Sequence, residues 1–397
     1  MSTTKSYWED PFAAEFTAPA AELTTYEGRP AIVLPATLFY PEGGGQLGDV
    51  GVLREGAREL RVVDTQIDEG GTIFHLLDAA PDGAIAGALA GAIDVPRRRD
   101  HMAQHTAQHM LSRALLDVAR APTVSARLGA TSCTIDVDVP QIADSVLFQI
   151  EDLVNGVIRS DALVRAFFPT DAELATLDLR RAPKVSAGVR IIEIDGFDLT
   201  PCGGTHCTRT GQIGQVRVAS VEKYKGKLRV SFHAAKRATD DARAKDQVLG
   251  ALAATFSCGP LDVPDAVAKM RAELDDRKEK LVRARGELAL LVGADLLARH
   301  PPDPSGTTIV TVIREGDDVG FLRTLAGRLA QRPDVVAICG AVDGRENDAM
   351  LIVAQRGASA RFDCGAWLKE KARVAGGRGG GRDERAEGRL PKGTPLP

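Results

Sequence analysis

At 397 residues, with 44% hydrophobic and 26% charged side chains, the chain has the balance of a globular protein too long for one core, and about three folded domains are expected. No apolar run approaches the roughly 20 residues that cross a bilayer, and the start MSTTKSYWEDPFAAEF lacks a basic stretch followed by an apolar one, so neither membrane insertion nor secretion is expected. A net charge of −4 excludes broad, non-specific coating of DNA, and six scattered cysteines read as reduced thiols in a cytoplasmic protein rather than as a disulfide framework.

In chain order, residues 31–75 read as short strands (AIVLPATLFY, GVLREG, ELRVVDTQI, TIFHLL) separated by glycine-rich turns, and a small β-barrel is predicted for a first domain, 1–95. Pro96 then opens a helix, RRRDHMAQHTAQHMLSRALLDVAR, rich in alanine, leucine and methionine. Strand-like pieces (CTIDVDV, VRIIEID, QIGQVRVASVEKY, LRVSFHAA) alternate with a helical SVLFQIEDLVNGVIRS, giving an α+β second domain, 96–240.

A helical linker is expected over 241–300. Val267, Met270, Leu274, Leu281, Ala284, Leu288 and Leu291 fall at heptad spacing on a charged background, with Arg277 at one core position. A coiled-coil homodimer and a helix packed on its own domain both fit that pattern. Over 301–397 the order TTIVTVI, GFLRTLAGRLAQ, VVAICGAV, AMLIVAQ and FDCGAWLKEKARV predicts a small α/β domain. It ends on AGGRGGGRDERAEGRLP (375–391), which reads as too glycine-rich for helix or strand and exposes arginines with backbone N–H groups.

Two segments carry chemistry. His101, His105 and His109 recur every four residues, so they share one broad helix face and any adjacent two could grip a metal ion; a merely polar face fits equally. Cys202-Gly-Gly-Thr-His206 lies between strand-like stretches, where adjacent glycines would permit left-handed backbone and turn a thiolate and an imidazole to one point. The plain alternative is a glycine turn. Together the segments supply four borderline-soft ligands, the number zinc prefers. Four protein ligands are also what a closed structural site has, so catalysis would need a displaced ligand or a fifth position.

HTAQHMLSRAL (105–115) and CGGTHCTRTGQIG (202–214) resemble the paired zinc motifs of the alanyl-tRNA synthetase editing domain and of its free-standing relatives, the AlaX proteins. FYPEGGGQLGDVG (39–51) looks like the glycine-rich motif these proteins share. The tail is similar to the nucleic-acid-binding domain that ends alanyl-tRNA synthetases and occurs in DHH-type phosphoesterases. The resemblance covers nearly the whole chain. With the barrel starting by residue 31, no large class II aminoacylation domain is expected, nor is the aspartate-rich DHH motif seen.

The resemblance implies an ATP-independent, trans-editing deacylase of tRNA(Ala) wrongly carrying serine, or glycine as a second candidate. One Zn2+ per chain would be held by His105, His109, Cys202 and His206. Water activated by zinc would attack the ester, with no assignable protein base. Substrate contacts are expected from Gly43, Gly44, Gly45, Arg127, Thr134 and Thr205, and tRNA contacts from Arg97, Arg98, Arg99, Arg378 and Arg382, with Arg385 and Arg389 beside them. His101 could support the site, touch substrate or be solvated, and Cys207 reads as a reduced thiol, not a ligand. The competing readings are a non-catalytic, zinc-stabilised RNA-binding protein and a hydrolase of another mischarged tRNA.

Overall fold

The computed structural model describes residues 2–183, 185, 187–342 and 349–397. They form a mixed α+β protein of two compact units, Met1–Ala251 and Leu252–Pro397. The two N-terminal domains expected at 1–95 and 96–240 both lie within the first unit.

The first unit begins with a seven-stranded antiparallel sheet in the order 15–18, 89–93, 51–55, 58–67, 73–77, 29–33, 22–26. Its inner faces bury Ile32, Phe39, Leu53, Val62 and Leu89. The outermost strands, Glu15–Ala18 and Glu22–Tyr26, have no ladder to each other, so the expected closed barrel is an open sheet. Both edges are short and begin with an exposed glutamate, which discourages further pairing.

The polypeptide then enters helix α1 (Val95–Ala119), started by Asp94, whose side chain accepts from the Arg97 N–H, with Pro96 in the first turn. Every residue from 101 to 112 is buried, so the histidine face is not a solvated one. Against α1 packs α2 (Asp144–Arg159), which buries Leu147, Ile150, Val154 and Ile158 at helical spacing. Two antiparallel sheets complete the shell. One runs in the order 123–128, 133–137, 227–234, 216–224, and the other is 164–167, 191–194, 198–201. Strand Lys227–Ala234 alternates cleanly, sending Leu228, Val230, Phe232 and Ala234 into the core. A one-turn helix, α3 (Asp171–Leu174), is closed by a Thr170/Glu173 capping box.

Arg98 ties the sheet to α1. Its guanidinium is 1% exposed, pairs with Asp49 and also donates to the carbonyls of Pro11 and Leu38. This overturns its expected role as a phosphate contact, since no surface remains for a ligand. Arg97 turns partly inward onto the Gly48 carbonyl, whereas Arg99 is exposed.

Helix α4 (Ala235–Phe256) carries the chain across the unit boundary. In the second unit α5 (Val263–Arg299) buries Ala289 and Gly293 in a core shared with Leu325 and Leu329 of α6 (Val319–Leu329). Its heptad residues Met270, Leu274, Leu281, Leu288 and Leu291 stay exposed in the single chain. The sheet runs 308–315, 335–342, 349–356, 385–391, 378–381, with only the first pair parallel, and α7 (Cys364–Ala375) packs on it.

The glycine-rich tail expected to be irregular instead forms a hairpin, Arg378–Gly381 with Arg385–Pro391. A Cβ at Gly379 would meet Leu368 of α7 at 2.8 Å, and one at Gly388 would meet the Arg378 carbonyl at 2.5 Å. The glycines therefore allow helix and hairpin to approach closely rather than loosening the chain. Arg378 and Arg382 are exposed on this hairpin.

Removing one partner of a buried ion pair leaves the other unpaired, so Arg98→Ala should destabilise the first unit by about 3–5 kcal/mol in denaturant unfolding; a loss under about 1 kcal/mol would contradict this role. Buried His75 bonds Thr37 and the Ile32 carbonyl, and burial lowers its pKa from 6.5 to about 4. The unfolded chain takes a proton there before the folded one does, so stability should fall as pH drops from about 6.5 to 4 and be unaffected above. His75→Gln should flatten that acid slope measured by chemical unfolding; an unchanged slope would refute the assignment.

Candidate functional site

Helix α1 and the loop after strand Asp198–Pro201 bring His105, His109, Cys202 and His206 together, with one potential ligand atom from each lying within 4.8 Å of all the others. Cys202 Sγ is 3.4 Å from both His105 Nε2 and His206 Nε2. Tetrahedral zinc with Zn–N near 2.0 Å and Zn–S near 2.3 Å separates such atoms by about 3.5 Å. The donor set could hold a metal ion.

Two of the three δ nitrogens are hydrogen-bonded by the protein, and the third faces a carboxylate. His105 Nδ1 donates to Gln46 Oε1 at 2.7 Å, and Gln46 is fixed by donating its amide to Thr205 Oγ1 and accepting from the Thr205 N–H. His206 Nδ1 lies 3.2 Å from Thr106 Oγ1, whose own hydrogen goes to the Met102 carbonyl, so the ring must donate. His109 Nδ1 faces the Asp198 carboxylate at 3.7 Å, and Asp198 is itself held by Arg180 and Thr200. His105 and His206 are thus set in the tautomer that offers the ε nitrogen, whereas His109 Nδ1 lies beyond hydrogen-bond distance of Asp198 and is buried without a hydrogen-bond partner among the described residues.

Electrostatics agree with this geometry. Burial holds all three imidazoles well below their ordinary pKa, and therefore neutral, as ligands must be. Burial pushes the Cys202 thiol up, opposed by the Gly204 N–H and by Arg181, Arg190 and Arg180, so a cation is needed to draw out the thiolate.

The glycines of the loop act differently from expectation. Gly203 and Gly204 both have ordinary negative φ. A Cβ at Gly204, however, would sit 2.2 Å from His105 Cε1, so this glycine lets the imidazole lie against the backbone.

Beside the tetrad opens a cavity of about 810 Å3, within the range of small-molecule sites. His105 and Cys202 face it, as do Gly43, Gly44 and Gly45. Gly44 and Gly45 have φ of +59° and +88°, and a Cβ at Gly45 would strike the Ala126 carbonyl at 2.6 Å. Of the other expected contacts, Thr205 is buried as the brace of Gln46, and Arg127 and Thr134 pair across neighbouring strands away from the cavity wall, which ends at Ala126. Sequence reasoning missed Gln108, Ser112, Thr123 and Ser125, which line the cavity instead. It also missed Gln46 and Asp198, although Gln46 closes the GGGQ run and Asp198 sits four residues before Cys202. His101 is buried apart from the tetrad, and Cys207 turns into the core.

Comparisons with known proteins match three segments. Residues 189–231 match the threonyl and alanyl tRNA synthetase second additional domain, 14–91 the class II (A) tRNA synthetases, and 305–396 the DHHA1 domain. The class II match falls on the seven-stranded sheet. The site and these segments define an alanyl-tRNA synthetase-like chain with an editing-type domain. It is homologous over most of its length to alanine–tRNA ligases: that of Halobacterium salinarum is 29% identical over 86% of this chain and 38% of the ligase, and that of Thermococcus kodakarensis 30% identical over 97% and 41%. The chain thus spans about two fifths of the length of these relatives. Alignment with the crystal structure of the C-Ala domain from Aquifex aeolicus alanyl-tRNA synthetase covers 21% of this chain and 76% of that one, at 25% identity and a TM-score of 0.20.

If Gln46 and Asp198 orient the imidazoles, Gln46→Ala and Asp198→Ala should each weaken zinc affinity about 10- to 100-fold in chelator competition. Wild-type affinity in both variants would remove them from that role.

Proposed function

We propose that this chain is an AlaX-type editing protein that binds one zinc ion through His105, His109, Cys202 and His206 and deacylates mischarged tRNA(Ala), with serine as the preferred wrong amino acid. The observation that carries this reading is the tetrad itself: three neutral imidazoles and one thiol converge beside a cavity, with the δ nitrogens of His105 and His206 already hydrogen-bonded elsewhere. Bound there, zinc would supply Lewis-acid chemistry to an ester carbonyl or to water.

The chain's own residues shape the rest. The Gly43–Gly45 turn lets backbone come close to the ester end of a substrate. Ser112 Oγ accepts from both Gln108 Nε2 and Thr123 Oγ1, at 2.7 and 2.8 Å, which leaves its own hydrogen to donate. A seryl hydroxyl can take up that hydrogen, whereas alanine would leave this buried polar group unpaired, which disfavours the correctly charged substrate. Exposed Arg99, Arg378 and Arg382 suit phosphate contacts.

One observation favours a second reading. All four tetrad positions come from the protein, as in sites that only hold a fold together. The two separate in a panel of charged tRNAs assayed with metal content measured. His105→Ala and Cys202→Ala should abolish Ser-tRNA(Ala) hydrolysis and drop zinc below one per chain. Protein carrying one zinc that deacylates no member of the panel, yet unfolds on chelation, would establish the structural role.

A further inference from the structure

The mouth of the cavity carries a group of side chains that the tetrad and the polar Ser112 wall do not use. Trp8, from the 3-10 turn Ser6–Trp8, reaches across to donate its indole N–H to the Gly203 carbonyl at 2.8 Å, one residue from Cys202. Phe168, outside the cavity lining proper, sets its ring 5.6 Å from that of Trp8, tilted by 58°, and is 53% exposed. Lys5 Nζ stands 4.6 Å from the Trp8 ring centroid and Arg190 on the same ring at 5.7 Å. Arg181 is exposed on the neighbouring segment and spends one N–H on the Pro201 carbonyl. Among the described residues neither Lys5 nor Arg181 is ion-paired, and the cavity lining holds Lys5, Arg181 and Arg190 beside one acid, Glu42, with Arg180 paired to Asp198 behind it.

An aromatic pair flanked by unpaired cations is the composition of a wall that holds unstacked bases and their phosphates without reading sequence. A half-exposed phenylalanine against a tryptophan has little to do for the core, and a basic rim against one carboxylate attracts an anion. The placement fits as well. An aminoacyl ester is carried on the terminal ribose of an unpaired RNA end, so once the ester reaches His105 and Cys202 the base and phosphate of the same nucleotide must rest on an adjoining wall.

We propose that Lys5, Trp8, Phe168 and Arg181 form a binding wall for the unpaired 3′-terminal nucleotides of RNA, with Phe168 and Trp8 stacking a base and Lys5 and Arg181 holding phosphate. The assignment of the occupant as the 3′ end of an aminoacyl-tRNA rests on the deacylase reading above.

The test uses the full zinc-loaded chain and the trinucleotide cytidine-cytidine-adenosine as probe. The chain has two tryptophans, so in a Trp367→Phe background the fluorescence of Trp8 reports binding. Phe168→Ala, at an exposed position, should raise the Kd for the trinucleotide about tenfold. Arg181→Gln should raise it several-fold and reduce its salt dependence by about one ion. Both should raise KM for Ser-tRNA(Ala). Trinucleotide binding that is undetectable in the parent, or equally tight in parent and both variants, overturns the proposal even if the parent deacylates Ser-tRNA(Ala). Variant-sensitive trinucleotide binding by a protein that deacylates no tRNA upholds the wall and defeats the deacylase reading instead.

Discussion

The constraint on which the rest of the first unit depends is the burial of three imidazoles around one thiol. An unprotonated ring in a protein interior still has a hydrogen to place, and each of these rings turns its δ nitrogen toward a different part of the chain: Gln46 from the glycine turn, Thr106 from α1 itself, and Asp198 from the strand before the Cys/His loop. Those acceptors are braced in turn by Thr205, by the Met102 carbonyl and by Arg180 with Thr200. The sheet, the central helix and the loop therefore meet at one buried polar cluster, and a polar cluster of that kind tolerates few other arrangements.

Close approach of backbone is the second theme. Gly45 against the Ala126 carbonyl and Gly204 against the His105 ring bring the edges of the cavity within reach of the tetrad, and the glycines of the C-terminal hairpin do the same for α7. In all three places a methyl group would collide with atoms that cannot move cheaply. The glycine-rich appearance of the sequence thus reports tight packing rather than looseness.

Much of this was legible in the sequence. That the i, i+4 histidines and the CGGTH run belong to one cluster could be read because helix geometry and ligand chemistry are local properties, and the strand alternation of Lys227–Ala234 is equally plain. What stayed hidden was tertiary. Arg98 belongs to a run of three arginines and looks like surface charge until Asp49, in a distant turn, claims it. Closure of the first sheet depends on a pairing between its edge strands that alternation cannot foretell. The wall residues Gln108 and Ser112 lie on the same helix as the ligands, but only the fold shows that their side faces the cavity. Arg127 and Thr134, which strand register pairs with each other, illustrate the converse.

Trp8 donates to Gly203, and the tetrad joins positions 105 and 109 to 202 and 206, so the contacts that finish the cluster are among the longest in sequence within the unit. A chain emerging from the ribosome in order has made Gln46, both helix histidines and the tryptophan well before it makes their partners. The four side chains can thus meet only after the seven-stranded sheet and the central helix have been made, while the strands 216–224 and 227–234 are still to come. Any metal held there would then load late in the folding of this unit rather than at its start.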